Sequence, residues 1–172
     1  LKNIKFTNYK AVLLYGINQG YKNEIIKDKF IGFFKGEILN LEENEIIDHQ
    51  TTFFEKLMNK SLFEEEKLII VSRTTNKIFK FIEEYFEKKI DGVQLVLNAE
   101  SLDKKSKLRL MFEKEKNLAC IPFYEDNQQS LSTYANSFLN EKKLKISREI
   151  LNIVLERARG DRGNLKNELE KI

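Results

Sequence analysis

Short apolar runs alternate with longer amphipathic stretches along the first 122 residues of the chain. The first, third and fourth runs are nearly continuous, which is typical of parallel strands that are buried on both faces of a sheet. The runs predict five strands, at residues 11–16, 37–41, 67–73, 93–99 and 117–123.

Between these runs, apolar residues recur at the spacing of a helix. The predicted helices are residues 23–34, 49–60, 75–89 and 101–116. Ser101 is the expected N-cap of the last helix. Because strands and helices alternate, residues 1–122 are predicted to form an α/β sandwich around a parallel sheet.

The pattern changes after Pro122, the single proline of the chain. From there on no strand is predicted, and apolar residues fall at helical spacing only. One helix is expected before Ser147, a second between Ser147 and Gly160, and a third over residues 161–172. Residues 123–172 are therefore predicted to form a small helical domain.

Composition narrows the possible chemistry. The 172 residues are 41% hydrophobic, enough for a sizeable core, and 30 Lys and Arg residues are interleaved with 27 Asp and Glu residues. A single cysteine, Cys120, and a single histidine, His49, exclude an internal disulfide and a multi-histidine metal centre. No signal peptide and no run of transmembrane length are visible. Since the chain starts at Leu1 and stops within a helix-like pattern at Ile172, it is interpreted as a fragment.

The end of the first strand resembles a phosphate-binding loop, whose pattern is G-x-x-x-x-G-K-[ST]. Gly16 and Lys22 have the required spacing, but Tyr21 stands where the second glycine belongs. Asn23 replaces the hydroxyl residue that would hold magnesium. Chance spacing in a lysine-rich chain, a degenerate loop and a working nucleotide site all remain open on the motif alone.

An ATPase also needs acidic residues at the end of a second strand, where they position magnesium and water. The predicted strand 67–73 is followed by no Asp or Glu, and the three glutamates at 64–66 precede it. They lie at the wrong end for a site at the carboxyl edge of the sheet. Two parts needed for hydrolysis are therefore altered or missing.

Leu62 and Phe63 form an apolar pair beside those glutamates. The pair is either a plug that folds inward or an exposed anchor for a protein partner, and composition does not decide between them.

A basic cluster on the fourth predicted helix has two interpretations as well. It contacts nucleic-acid phosphates, or it is a solvated face paired with Glu113 and Glu115. Its members are Lys104, Lys105, Lys107 and Arg109.

In this order and spacing, the segments closely resemble the delta subunit of the bacterial DNA polymerase III clamp loader. The most specific pieces are SLF at 61–63, LDKKSKLR at 102–109 and NLKNELEKI at 164–172. The resemblance implies a RecA-like AAA+ domain of the P-loop NTPase type, a three-layer sandwich over 1–122, and a three-helix lid over 123–172. The family's helical collar would follow and is absent from this chain.

The resemblance also implies that the chain has no catalytic residues, no bound metal and no ATP. Asn98 falls at the end of the sensor-1 strand, Ala119 stands in for an arginine finger, and Gly163 lies where a sensor-2 arginine is expected. The chain would have no enzyme activity of its own, as a subunit of the DNA-directed DNA polymerase III holoenzyme, a transferase complex.

The function implied by the resemblance is opening of the sliding clamp during DNA replication. Ser61, Leu62 and Phe63 would bind a hydrophobic pocket on the beta clamp, with Met58 in the place of a frequent glutamine. The implied partners are the beta clamp, the gamma/tau and delta prime subunits, and primer–template DNA, in the bacterial cytoplasm and without a membrane. The chain itself is expected to be a monomer. The alternative is an active P-loop ATPase of a replication or repair complex, which rests on Gly16 and Lys22.

Overall fold

The computed structural model describes residues 6–58 and 66–172. Within these ranges the strands are β1 (Ala11–Tyr15), β2 (Glu37–Glu42), β3 (Lys67–Thr74), β4 (Val93–Ala99) and β5 (Leu118–Pro122). All pairings are parallel, and the strand order is β2-β3-β4-β1-β5. The predicted RecA-like α/β sandwich with a parallel sheet is confirmed.

Helices connect the strands and continue after the sheet. They are α1 (Gln19–Ile25), α2 (Glu43–Ile47), α3 (Gln50–Met58), α4 (Phe79–Glu87), α5 (Lys107–Lys114), α6 (Gln128–Glu141), α7 (Arg148–Arg157) and α8 (Arg162–Leu169). A π turn over Ile26–Phe30 and 3₁₀ turns over Phe6–Asn8, Ile31–Phe33 and Asn76–Ile78 complete the described elements. No described helix is both long and apolar enough to cross a membrane.

The described residues group into two compact units. Residues up to Gly16 and from Ile25 to Pro122 form the first unit, while Ile17–Glu24 and Phe123–Ile172 form the second. The sequence-based division into 1–122 and 123–172 stays a prediction; in the structure the first turns of α1 group with the later residues.

The core of the first unit explains the continuous apolar runs. In β1, Leu13 packs into a cluster that includes the aromatic residues Phe54, Phe81 and Tyr85 of α3 and α4, while Leu14 is equally buried. The rings of Phe54 and Phe81 stack with centroids 4.7 Å apart. Side chains that point to either face of the sheet are thus buried, as expected for a sheet with helical segments on both faces.

The amino edge of the sheet is the side at which the strands begin, at Ala11, Glu37, Lys67, Val93 and Leu118. Strands β2 and β3 are parallel neighbours, so the chain must return from the end of β2 to this edge before β3 starts. Helices α2 and α3 lie in this connection.

Two predicted helix starts are wrong. Helix α5 begins at Lys107, not near Ser101, because Ser106 caps it and Asp103 holds the preceding residues in a turn. The predicted helix 23–34 begins earlier, at Gln19. In both cases a polar side chain, that of Ser106 or Asn18, accepts a backbone N–H of the first helical turn and so fixes where the helix starts.

Helices α6, α7 and α8 of the second unit pack around a small apolar core that includes Leu131, Ala135, Leu139, Val154, Ala158, Leu165 and Leu169. The side chains of Asn127, Ser147 and Asp161 cap their starts by accepting backbone N–H bonds. Gly160, with φ of 79°, turns the chain after α7. The predicted three-helix arrangement is confirmed.

Candidate functional site

The residues after β1 follow the predicted order of strand, glycine and helix. Gly16 has a φ of 122°, a conformation that favours glycine, and its N–H donates to the carbonyl of Glu100. Tyr21, Lys22 and Asn23 all lie inside α1 rather than in a loop before it. The local framework resembles that of a phosphate-binding loop, so the side chains decide what it does.

Asn18 occupies the start of α1. Its side-chain oxygen accepts the N–H of Tyr21 at 3.0 Å, and its amide nitrogen donates to Asp126 at 2.7 Å and to the Tyr124 carbonyl at 3.0 Å. In a working phosphate-binding loop, such first-turn N–H groups face the phosphates. Here the side-chain oxygen of Asn18 already satisfies the N–H of Tyr21, and the Asp126 carboxylate in turn holds the Asn18 amide in place.

Asp126 also forms a bidentate ion pair with Arg162. The Nε and Nη2 atoms of Arg162 lie 2.9 and 2.7 Å from the two carboxylate oxygens, and both side chains are largely buried. Paired parallel hydrogen bonds of this kind are the strongest arginine–carboxylate geometry. We refer to Asn18, Tyr21, Asp126 and Arg162 as the Asp126 cluster.

The electrostatics of the Asp126 cluster follow from this pairing. Burial alone would raise the pKa of Asp126, but hydrogen bonds from Arg162, Ser130 and Asn18 outweigh burial and hold this pKa below its ordinary value. Burial would lower the pKa of Arg162, but the Asp126 carboxylate raises it above its usual range. Both groups are therefore charged at neutral pH.

Tyr21, the residue that replaces the second glycine of the motif, is an aromatic platform in this cluster. The guanidinium carbon of Arg162 lies 3.9 Å from the centre of the Tyr21 ring and 4.9 Å from that of Tyr134. Stacking on an aromatic face stabilises a guanidinium. Burial raises the pKa of the Tyr21 hydroxyl, so the ring stays neutral.

Backbone contact between α1 and α8 lies beside this stack. A Cβ atom on Gly20 would come within 2.7 Å of the backbone nitrogen of Gly163, which is too close for any side chain. Gly163, where a sensor-2 arginine was expected, thus packs against α1. The arginine of this region is the preceding residue, Arg162. Arg162 and Asp126 were missed in the sequence because neither belongs to the phosphate-loop pattern.

The remaining motif residues are also engaged. Lys22 has no exposed surface, and the side-chain oxygen of Asn23 accepts a hydrogen bond from Gln19 at 2.9 Å. In this conformation the lysine is inaccessible to a phosphate from solvent. A magnesium ion would have to compete with Gln19 for the Asn23 oxygen.

At the carboxyl end of β3, the structure brings in an acid that the sequence did not predict. Glu43, the first residue of α2, is buried there and accepts hydrogen bonds from the N–H and the hydroxyl of Thr75 at 2.7 and 2.8 Å. Both carboxylate oxygens are therefore used to fix the turn after β3. The carboxylate is held in a structural role rather than aimed at a reacting water.

The predicted sensor-1 residue, Asn98, lies in β4 with its side chain buried. Its side-chain oxygen has no hydrogen-bond partner among the described residues, which leaves an open acceptor near the end of the strand. Ala119 lies in β5, paired with Val12 of β1. No group of His, Cys, Asp and Glu side chains suited to a metal ion is present in residues 6–58 and 66–172.

The residues of the predicted basic cluster have two different environments in the structure. Arg109 bonds Glu113 at 2.7 Å and lies 4.6 Å from the centre of the Tyr15 ring, so it is held against the protein. Lys104, Lys105 and Lys107 are exposed. A contact of these three lysines with DNA stays a prediction.

Of the predicted clamp-binding residues, only Met58 is described. It ends α3 and its side chain is 56% exposed. Ser61, Leu62 and Phe63 lie outside the described residues.

Comparison with known proteins adds evidence on the fold. The clamp loader delta protein of Bacillus subtilis superimposes over 95% of this chain and 52% of its own length, with 16% identity and a TM-score of 0.64. The chain shares the fold of a clamp loader delta protein. It spans about half the length of that protein.

Two further solved structures have a similar fold. The replication initiator DnaA bound to AMPPCP and single-stranded DNA matches 99% of this chain and 57% of its own, with 16% identity and a TM-score of 0.56. A Walker-type ATPase of Pyrococcus abyssi matches 96% and 63%, with 12% identity and a TM-score of 0.51. No protein-family model and no curated protein matches the sequence. The chain therefore shares its fold with these solved structures.

Proposed function

We propose that this chain is the clamp-binding part of a clamp loader delta subunit, which opens the sliding clamp during bacterial DNA replication. The observation that carries the proposal is the fold likeness to a clamp loader delta protein over 95% of the chain. The sequence motif SLF at residues 61–63 supplies the apolar pair that such a role requires.

The proposed mechanism is selective binding of one state of the clamp. A ring that opens and closes is shifted towards the open form by any partner that binds the open form more tightly. Burial of Leu62 and Phe63 in an apolar pocket would contribute about 1.5–3 kcal/mol each. The exposed Met58 side chain, at the end of α3, supports an apolar surface next to the motif.

In this proposal the chain supplies binding and other subunits supply ATP hydrolysis. The Asp126 cluster supports this division, since it occupies the start of α1 with side chains of the protein itself. The partners would be the beta clamp, the gamma/tau and delta prime subunits and primer–template DNA. The chain would act within the polymerase III holoenzyme in the bacterial cytoplasm, and alone it would be a monomer.

Direct titration against the clamp tests the proposal. The chain is passed over immobilised cognate beta clamp in a surface-plasmon experiment, and saturable binding with a Kd of about 1 µM or tighter is expected, equivalent to about 8 kcal/mol. Bovine serum albumin on a second channel controls for non-specific adsorption. Absence of saturable binding at a chain concentration one hundred times higher would contradict the proposal.

A second candidate function is nucleotide binding. It is favoured by the open acceptor on Asn98 and by the order of β1, Gly16 and Lys22, which is that of a phosphate-binding loop. A fold like that of DnaA bound to AMPPCP is compatible with it. Such a site would make the chain an ATPase or an ATP-dependent switch in a replication or repair complex.

Titration with Mg-ATP separates the two functions. We expect no saturable heat in isothermal titration calorimetry, because Lys22 is buried and the N–H of Tyr21 is bonded to Asn18. An active P-loop ATPase measured in parallel shows that the nucleotide and buffer are competent. Micromolar binding that disappears in a folded Lys22→Met variant would favour the nucleotide function instead.

A further inference from the structure

A wide polar groove runs between α6 and α7 in the second unit. It has a volume of about 1120 Å³, and most of the residues that line it carry amide or hydroxyl groups. On α6, Gln129, Thr133, Asn136 and Asn140 follow one another at helical spacing along the groove, and Asn152 lines it from α7. Both helices are therefore polar where they border this space.

Several of these amides are available to a ligand. The side chains of Gln129, Asn140 and Asn152 are exposed and form no hydrogen bond with another residue that the structure describes. An amide side chain can donate two hydrogen bonds and accept two more. The groove thus presents uncharged hydrogen-bonding groups that the described part of the chain does not use itself.

Positive charge is concentrated at the end of the groove where α6 turns into α7. We refer to four exposed basic residues there as the turn cations: Lys142, Lys143, Lys145 and Arg148. Lys145 and Arg148 line the groove itself. In the part of the chain that the structure describes, no carboxylate forms an ion pair with a turn cation. By contrast, Arg157, Arg162 and Lys171 of the same unit are all paired.

Acidic residues near the turn do not cancel this charge. Among the described residues that line the groove, none is an Asp or a Glu. Glu141 and Glu149 flank the turn cations in sequence, and Glu149 accepts a hydrogen bond from the Ser147 hydroxyl. Because residues 141–149 contain four basic and two acidic side chains, this segment keeps a net positive charge.

The side chains of the groove are of the types that contact nucleic-acid phosphates. In protein–DNA complexes, phosphate oxygens accept hydrogen bonds from Arg, Lys, Ser, Thr, Asn and Gln, and all six types line this groove. Proteins that hold single strands also use aromatic rings on which the bases stack. The described residues that line the groove include no aromatic ring, so the backbone of a duplex fits it better than unstacked bases do.

We propose that the groove between α6 and α7 binds the sugar–phosphate backbone of double-stranded DNA, with the turn cations and the unbonded amides as the contacts to phosphate. A DNA backbone carries its charges in a regular row, which matches the row of amides along α6 better than the dispersed carboxylates of a protein surface. The inference assigns a surface to the DNA partner of the proposed function, and it rests on that function only for its biological role. This surface differs from the predicted contact at Lys104, Lys105 and Lys107.

Fluorescence anisotropy of the whole chain with a labelled DNA duplex tests the inference. For a duplex of about 20 base pairs in about 50 mM NaCl, a Kd on the order of 10 µM is expected. The Kd should rise steeply with salt concentration, because each cation that contacts a phosphate releases counterions from the DNA. The variant that removes both cations lining the groove, Lys145→Gln with Arg148→Gln, is expected to bind more than about tenfold more weakly.

Lys143→Gly separates charge from stability. Lys143 follows α6 with a φ of 56°, a conformation that glycine adopts more readily, so the variant should keep or raise the melting temperature. It is nevertheless expected to bind the duplex about fivefold more weakly and to have a shallower salt dependence. Lys89→Gly is the matched control, since Lys89 is also an exposed lysine with a positive φ, 46°, but follows α4. Equal weakening in both variants would indicate general attraction between charges and would overturn the site.

The remaining outcomes distinguish the inference from the proposed function. If the wild type binds no duplex up to about 200 µM, beyond the usual range of non-specific binding, the inference is overturned, and the clamp titration decides the proposed function separately. If replacement of Lys104, Lys105 and Lys107 by Gln abolishes binding while the turn-cation variants bind as the wild type does, the inference is wrong and the earlier predicted contact binds DNA. Tighter binding of a single strand of the same length, or of poly-L-glutamate, would overturn it in favour of unstacked bases or an acidic protein.

Discussion

Replacement of both Leu62 and Phe63 by alanine is expected to weaken binding to the cognate clamp at least a hundredfold. Each side chain would lose about 1.5–3 kcal/mol of apolar burial at the interface. Two losses at the lower limit sum to about 3 kcal/mol, and every 1.4 kcal/mol is a tenfold change in Kd. The measurement is the surface-plasmon titration of the variant and the wild type on one immobilised clamp.

The control for this experiment is Leu110→Ala. Leu110 is about half exposed, like the apolar residues of a contact surface, but it lies in the middle of α5 rather than towards the amino edge. Its replacement removes a similar apolar area and is expected to leave the Kd unchanged. Equal affinities of the double variant and the wild type would show that Leu62 and Phe63 fold inward as a plug and do not contact the clamp.

Much of the fold was predictable because its signals are local. The strands are runs of apolar residues, and the predicted bounds of β1 and β4 agree with the structure to within one residue. A sheet covered on both faces buries every strand residue, so the runs are uninterrupted. The start of α5 was not predictable in this way, because it depends on whether Ser101 or Ser106 captures the first N–H groups of the helix.

The Asp126 cluster could not be predicted, since its contacts join residues far apart in sequence. Asn18 and Asp126 are separated by 108 positions, and Asp126 and Arg162 by 36. Neither residue of the ion pair stands in a recognisable motif. The sequence did show that Tyr21 replaces the second glycine of the phosphate-loop pattern, and the structure adds what the ring does there, which is to stack on Arg162.

The carboxylate at the end of β3 is a similar case. The sequence correctly indicated no acidic residue directly after that strand, but Glu43 reaches the same place from α2, 32 positions away from its partner Thr75. Inspection of the residues that follow one strand misses acidic residues that follow a neighbouring strand and lie at the same edge of the parallel sheet. In both examples the spacing of motif residues predicts the path of the backbone but not the polar side chains that come close to it from elsewhere in the sequence.

Replacement of Asp126 by alanine is expected to destabilise the second unit by about 3 kcal/mol. The change leaves the largely buried guanidinium of Arg162 without its bidentate carboxylate partner. Loss of one member of a buried ion pair lowers the free energy of unfolding by about 3–5 kcal/mol. It also removes the acceptor for the Asn18 amide. For a chain of this size, the melting temperature should fall by about 10 °C. Thermal unfolding followed by circular dichroism at pH 7 measures this effect.

The pH dependence of stability distinguishes the ion pair from simple packing. Because the pKa of Asp126 is lower in the folded state than in the unfolded state, its stabilising effect is fully present above about pH 5 and is lost as the pH falls through the folded-state pKa. The difference in melting temperature between wild type and Asp126→Ala should therefore shrink below about pH 4. Glu125→Ala, a change at the exposed neighbouring acid, should show neither effect. A wild-type advantage that persists unchanged at acidic pH would mean that Asp126 stabilises the unit through packing rather than through its charge.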